Sequence, residues 1–165
     1  MKRTLTQEQI LQIQTRIEIC YQQAEQKLKR TFIRPQLELN GRGRIAGSAN
    51  LTLNKLRLNP ILFKHNQDEF MQEVIPHEIC HLLCYQLFGR TRPHGVQWRS
   101  LMQGIFNLPG RATHSMDLAP LQQKSFAYQC KCGPVSLTIR RHNKVLKGAQ
   151  YLCRKCATVL TYKAS

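Results

Sequence analysis

Val74-Ile75-Pro76-His77-Glu78-Ile79-Cys80-His81-Leu82 carries a His-Glu-x-x-His pattern within a segment that can continue as a helix. One helical turn separates the two histidines, roughly 40° apart around the axis, so both imidazoles can meet a single ion. Glu78 lies a further ~60° round, close enough to touch a water at the metal without ligating the metal itself. Two nitrogen ligands, an open coordination position and a general base are what a zinc hydrolase needs. With six His and nine acidic residues in 165, chance supplies on the order of 0.01 matches to the pattern. The competing reading is two surface histidines on an amphipathic helix.

A catalytic zinc takes three protein ligands and keeps one position for water. After Glu78 the only acidic residue is Asp117, which excludes a downstream glutamate ligand. The extended pattern that needs glycine at 84 and histidine at 87 also fails, because the chain has Cys84 and Leu87. His94, His114, Asp117 and His142 remain. Reach favours His94. Gly89, a natural left-handed cap for the helix, lies about 12 Å along the axis from His81. The five residues from Gly89 to His94 can span up to ~17 Å and so return to the metal. Gly95 permits a tight backbone there, and a helix bearing Trp98 would clamp the ligand. His114 is the reserve.

Around this motif the pattern is mixed α and β. Thr6-Gln7-Glu8-Gln9 reads as a capping box, and Ile10, Ile13, Ile17, Tyr21, Ala24 and Leu28 follow helical spacing, predicting one helix over 6–30. Residues 36–40, 49–53 and 55–58 alternate as strands of a small sheet that Asn59-Pro60 ends. Asn66-Gln67-Asp68-Glu69 starts a helix that Pro76 must kink or restart. A further helix after His94-Gly95 presents Trp98, Leu101, Met102, Ile105 and Phe106, and Asn107-Leu108-Pro109-Gly110 breaks it.

The net charge is +16, and residues 118–165 hold nine Lys/Arg and no acidic residue. So basic a stretch attracts polyanions, nucleic acid above all, with plain solubility as the bland alternative. No apolar run approaches the roughly 20 residues of a membrane span, and no apolar stretch follows Met1-Lys2-Arg3 as in a secretory signal. The expected location is the cytoplasm, where seven cysteines point to metal or packing rather than disulfides. Cys130-x-Cys132 and Cys153-x-x-Cys156, twenty residues apart, suit a four-thiolate structural zinc on two knuckles. Val135, Leu137 and Ile139 alternate with Ser136, Thr138 and Arg140 as a strand, and His142-Asn143-Lys144 can turn the chain back. Cys20, Cys80 and Cys84 fall in helical stretches and read as small core residues. Arg140, Arg141, Lys144, Lys147, Arg154 and Lys155 surround the ribbon and suit DNA phosphates; Tyr128 and Tyr151 can either stack on bases or pack inward.

Pro76-His77-Glu78-Ile79-Cys80-His81-Leu82-Leu83, Tyr85-Gln86-Leu87-Phe88-Gly89, Pro93-His94-Gly95-x-x-Trp98 and Arg140-Arg141-His142-Asn143 resemble the SprT family of zinc metalloproteins, whose relatives include the DNA-dependent protease Spartan. The resemblance covers most of the chain. It implies a minimal metalloprotease domain with His77, His81 and His94 on zinc and Glu78 as base.

The expectation is therefore an α+β chain. Residues 1–118 form a zincin-like metalloprotease domain of helices packed on a small sheet, and 119–165 a basic zinc ribbon. It uses two Zn2+, one catalytic and one structural, acts on a protein or peptide, and meets DNA through its ribbon. Tyr85 and Arg92 are near enough to be weighed as oxyanion donors, neither preferred. The glycine-punctuated strands at 43–58 offer an edge for an extended substrate. The main alternative is a non-proteolytic DNA-binding protein acting in transcription or repair. A third reading is hydrolysis of something other than a peptide.

Overall fold

The computed structural model describes residues 4–111, 118, 121 and 125–163. The chain forms two compact units, 1–121 and 122–165.

In the first unit, α1 (Gln7–Leu28) starts at the predicted capping box: Thr6 accepts from the Gln9 N–H while the Gln9 side chain accepts from the Thr6 N–H. It buries Ile13, Ile17, Cys20, Tyr21 and Ala24. β1 (Gln36–Glu38), β2 (Gly47–Asn50) and β3 (Lys55–Leu58) form a sheet in the order β1-β3-β2, with β1 parallel and β2 antiparallel to the central strand. The strand predicted over 49–53 thus lies earlier. Residues 51–54 make the turn, where Asn50 accepts from the Leu53 N–H and Asn54 takes a left-handed φ of 47°.

Asn59-Pro60 ends β3 as expected, yet it also starts a helix the pattern did not reveal, α2 (Pro60–His65). The Asn59 side chain accepts from the N–H groups of Ile61 and Leu62, and Pro60 takes the first turn, where its missing N–H costs nothing. α3 (Gln67–Glu69) then runs through a wider π-helical turn at Phe70–Val74 into α4 (Ile75–Phe88). Pro76 can donate no hydrogen bond to the preceding turn, and its ring crowds that turn's carbonyl. A π turn just before it accommodates both without breaking the helix. Gly89 ends α4 with φ 69° and ψ −146°, so the cap has the positive φ expected of glycine but not the left-handed helical ψ. α5 (Val96–Phe106) buries Trp98, Leu101 and Met102, and stops at Asn107 in the left-handed conformation. Cys20, Cys80 and Cys84 are buried among helices.

The second unit pairs β4 (Ser125–Cys130) antiparallel with β5 (Gly133–Thr138), and β6 (Thr161–Tyr162) with β4. The alternation predicted through Arg140 stops at Thr138. Residues Ile139–Leu146 form α6, and His142-Asn143-Lys144 lie inside that helix instead of turning the chain. His142 explains the difference. It is buried, stacks on Phe126 with centroids 3.7 Å apart, and shares a 3.0 Å hydrogen bond with the Tyr128 hydroxyl. A helix delivers it there; a strand continuing outward would not. Among the described residues no helix is long and apolar enough to cross a membrane.

Candidate metal centres

α4 delivers His77 and His81 from successive turns, and the loop after Gly89 brings back His94. The three Nε2 atoms form a nearly equilateral triangle: His77–His81 3.2 Å, His81–His94 3.0 Å, His77–His94 3.0 Å. Nitrogens at ~2.0–2.1 Å from a tetrahedral zinc stand ~3.3 Å apart, so these residues fit zinc without rearrangement. His94 sits at φ 53°, a left-handed conformation that is uncommon outside glycine, inside the tight turn that the Gly95 N–H closes on the Arg92 carbonyl. Gly95 itself has an ordinary φ of −74°. Its contribution is closeness, because a Cβ there would come within 2.8 Å of the Arg92 carbonyl.

Trp98, 1% exposed, makes the floor. Its ring centroid lies 4.7 Å from His77, 5.2 Å from His81 and 4.7 Å from His94. The Cys80 thiol donates to the Trp98 carbonyl at 3.4 Å, tying α4 to α5 behind the histidines. Burial pushes His81 down to about 4, with His94 adding to the effect, which keeps its imidazole neutral as a ligand must be.

Glu78 is buried beside His77 and lines the same 620 Å³ cavity, together with His81, His94, Pro93 and residues 44–49. Burial pushes its carboxyl up to about 7, opposed by a hydrogen bond from the Ala49 backbone N–H. Sequence reasoning missed this partnership with β2; the glycine at 47, at the head of the strand, was the available signal. Tyr85 lines a neighbouring hollow with Arg90 instead, and Arg92 is exposed. His114 and Asp117 lie outside the described residues, and His142 is committed to the aromatic cluster of the second unit.

There, Cys130, Cys132, Cys153 and Cys156 place their sulfurs within 4.8 Å of one another, with Cys130–Cys132 at 3.2 Å and Cys132–Cys153 at 3.6 Å. A tetrahedral four-thiolate zinc spaces its sulfurs ~3.8 Å apart, so this set also fits. Hydrogen bonding to Cys130 holds the Cys132 thiol up at about 12, whereas the Thr158 hydroxyl brings Cys156 down to about 5.

Residues 17–116 match the SprT-like family and residues 124–164 the SprT-like zinc ribbon domain. The chain belongs to the SprT-like family. "Protein SprT" of Shewanella oneidensis is 51% identical over 156 residues, covering 94% of this chain and 98% of that protein. The proteins of the same name from Vibrio parahaemolyticus and Klebsiella pneumoniae subsp. pneumoniae are 48% and 46% identical, covering 87% and 83% of this chain and the same shares of their own. No solved structure matches. As a SprT-like chain with its zinc ribbon, the protein carries in its four close cysteines the makings of a zinc site.

All six cations assigned to nucleic acid are exposed. Arg140, Arg141 and Lys144 lie on α6, Lys147 caps it, and Arg154 and Lys155 sit in the second knuckle. Arg141, Arg154 and Lys155 converge on a 390 Å³ hollow, where Arg141 lies 5.8 Å from the Tyr151 ring centroid. Tyr128 is 1% exposed and packs inward, the second of the two roles its sequence left open.

Proposed function

We propose that this chain is a cytoplasmic zinc-dependent metallopeptidase with a zincin-like catalytic unit, acting on or near nucleic acid. The observation that carries the reading is the 3.0–3.2 Å nitrogen triangle with Glu78, a carboxylate outside the ligand set, lining the same cavity. A purely structural metal has no use for such a group. His77, His81 and His94 would hold the catalytic zinc, and the four cysteines the structural one. Zinc bound by the histidines supplies Lewis acidity, polarising a carbonyl and lowering the pKa of water.

Glu78 takes a proton from the attacking water and returns it to the leaving amine. Burial of the carboxyl favours its holding that proton between the two transfers. β2 is an edge strand whose residues 47–49 line the cavity, so an extended peptide can pair with it while its scissile bond faces the histidines. The acid-free, six-cation ribbon surface holds nucleic acid through its phosphates, without reading sequence.

Replacing Glu78 by Gln tests the reading: peptide cleavage should be lost while zinc content and DNA affinity persist. That ribbon surface also favours a second reading, a DNA-binding protein without proteolysis. A wild type that binds DNA and zinc but cleaves no protein, with or without DNA, would favour it.

A further inference from the structure

β2 approaches Glu78 more closely than any residue with a side chain would allow. A Cβ at Gly47 would sit 2.9 Å from Glu78 Cγ, 3.0 Å from Val74 Cγ1 and 3.3 Å from Glu78 Oε1. Two residues on, the Ala49 backbone N–H faces the Glu78 carboxyl and opposes the rise that burial causes. Strand geometry explains why this N–H is available. The Ala46 carbonyl accepts from the Asn59 N–H at 2.8 Å, so Ala46, Ser48 and Asn50 direct their backbone groups to β3. Gly47 and Ala49 therefore direct theirs outward, over α4.

We propose that β2 positions Glu78: Gly47 by having no side chain, and Ala49 by its outward N–H. Gly47 and Ala49 are thus positioning residues. Without the first, the carboxylate shifts out of its place beneath the strand. Without the second, it loses its one backbone anchor on that strand and can rotate away from the histidines.

A consequence follows for substrate binding. The Ala49 N–H lies on the free edge of β2, the edge an extended peptide would pair with. A substrate carbonyl that took this donor would leave Glu78 without its anchor. The peptide therefore pairs through the other outward groups of Gly47 and Ala49 and leaves the Ala49 N–H on Glu78, so that the base stays placed while it works. This rests on the metallopeptidase reading above.

The first arm of the test needs no activity. Amide hydrogen exchange at Ala49, in zinc-loaded protein, should quicken by roughly tenfold or more in Glu78→Ala, because the edge N–H loses its acceptor. Unchanged exchange overturns the proposal. The second arm is a mutant cycle. Gly47→Ala should lower kcat by about 10²-fold with KM and zinc content unchanged, and should cost nothing further in a Glu78→Gln background. A fall of equal size in both backgrounds, or a change in KM alone, overturns it. Ala49→Pro deletes the N–H while leaving the β3 ladder intact, and should reproduce the kcat loss if Gly47→Ala fails to fold. A wild type without Glu78-dependent cleavage defeats the peptidase reading, and the exchange arm still decides whether β2 holds Glu78.

Discussion

The histidine centre and the cysteine ribbon both bring candidate metal ligands together, but they do so from opposite directions. Two of the histidines stand on a helix whose neighbours are already buried: Ile75, Ile79, Leu82 and Leu83 belong to the main core, and Trp98 packs against all three rings, His94 of the following loop included. Packing builds that frame, and a metal would enter it as a reagent. Among the described residues the ribbon buries only Tyr128, Cys130, Leu137, Cys153 and Leu160 as its apolar core, two of them ligand candidates themselves. Such a core is too small to hold strands together by burial, so a metal there acts as part of the framework. The same element can thus be an addition to one unit and a condition of folding in the other.

Chelation breaks the comparison most forcefully. Removing zinc from the full chain should unfold residues 122–165, since structural zinc contributes on the order of 10–16 kcal/mol, and leave the helices of residues 1–121 in place. Backbone amide spectra before and after chelation would show it. Next in size is Trp98→Ala, which removes the floor under the histidines. It should destabilise the first unit by about 3–5 kcal/mol in denaturant unfolding and loosen the histidine site, with the ribbon unaffected. At the ribbon, Arg140→Gln and Lys144→Gln should each lower the salt dependence of DNA binding by about one phosphate contact without changing sequence preference.

The smallest effect is one of pH. Arg34 hydrogen-bonds Glu18 and Glu25 and holds both carboxyls below the usual carboxylate range. A depressed carboxylate pKa gives stability that is present above the unfolded value and lost as pH falls below it. The first unit should therefore weaken below about pH 4.5, and Arg34→Ala should flatten that part of the unfolding profile.

What could be read in the chain divides along the same line as the two metal centres. The His-Glu-x-x-His helix, the Thr6 capping box and the cysteine knuckles depend on spacings of two to four residues, so local geometry alone specifies them. His94 was legible because a short connection limits where the chain can return. The start of β2 at Gly47 was not, because it is set by contact with Val74 and Glu78, nearly thirty residues away. α6 escaped for a similar reason. Ile139, His142 and Val145 stand at helical spacing, but the strand-like alternation runs into them, and what selects the helix is the distant pair Phe126 and Tyr128 that receives His142. α2 was a missed local signal, since Asn59-Pro60 marks a helix start as well as a strand end.

The most direct test of two separate metal centres, one a reagent and one a framework, is zinc stoichiometry of the purified chain beside His77→Ala and Cys153→Ser. Two zinc per chain, falling to one in each variant, is the expected result. A single zinc that survives in His77→Ala and is lost in Cys153→Ser would contradict it, leaving the histidine triangle without the metal its geometry fits.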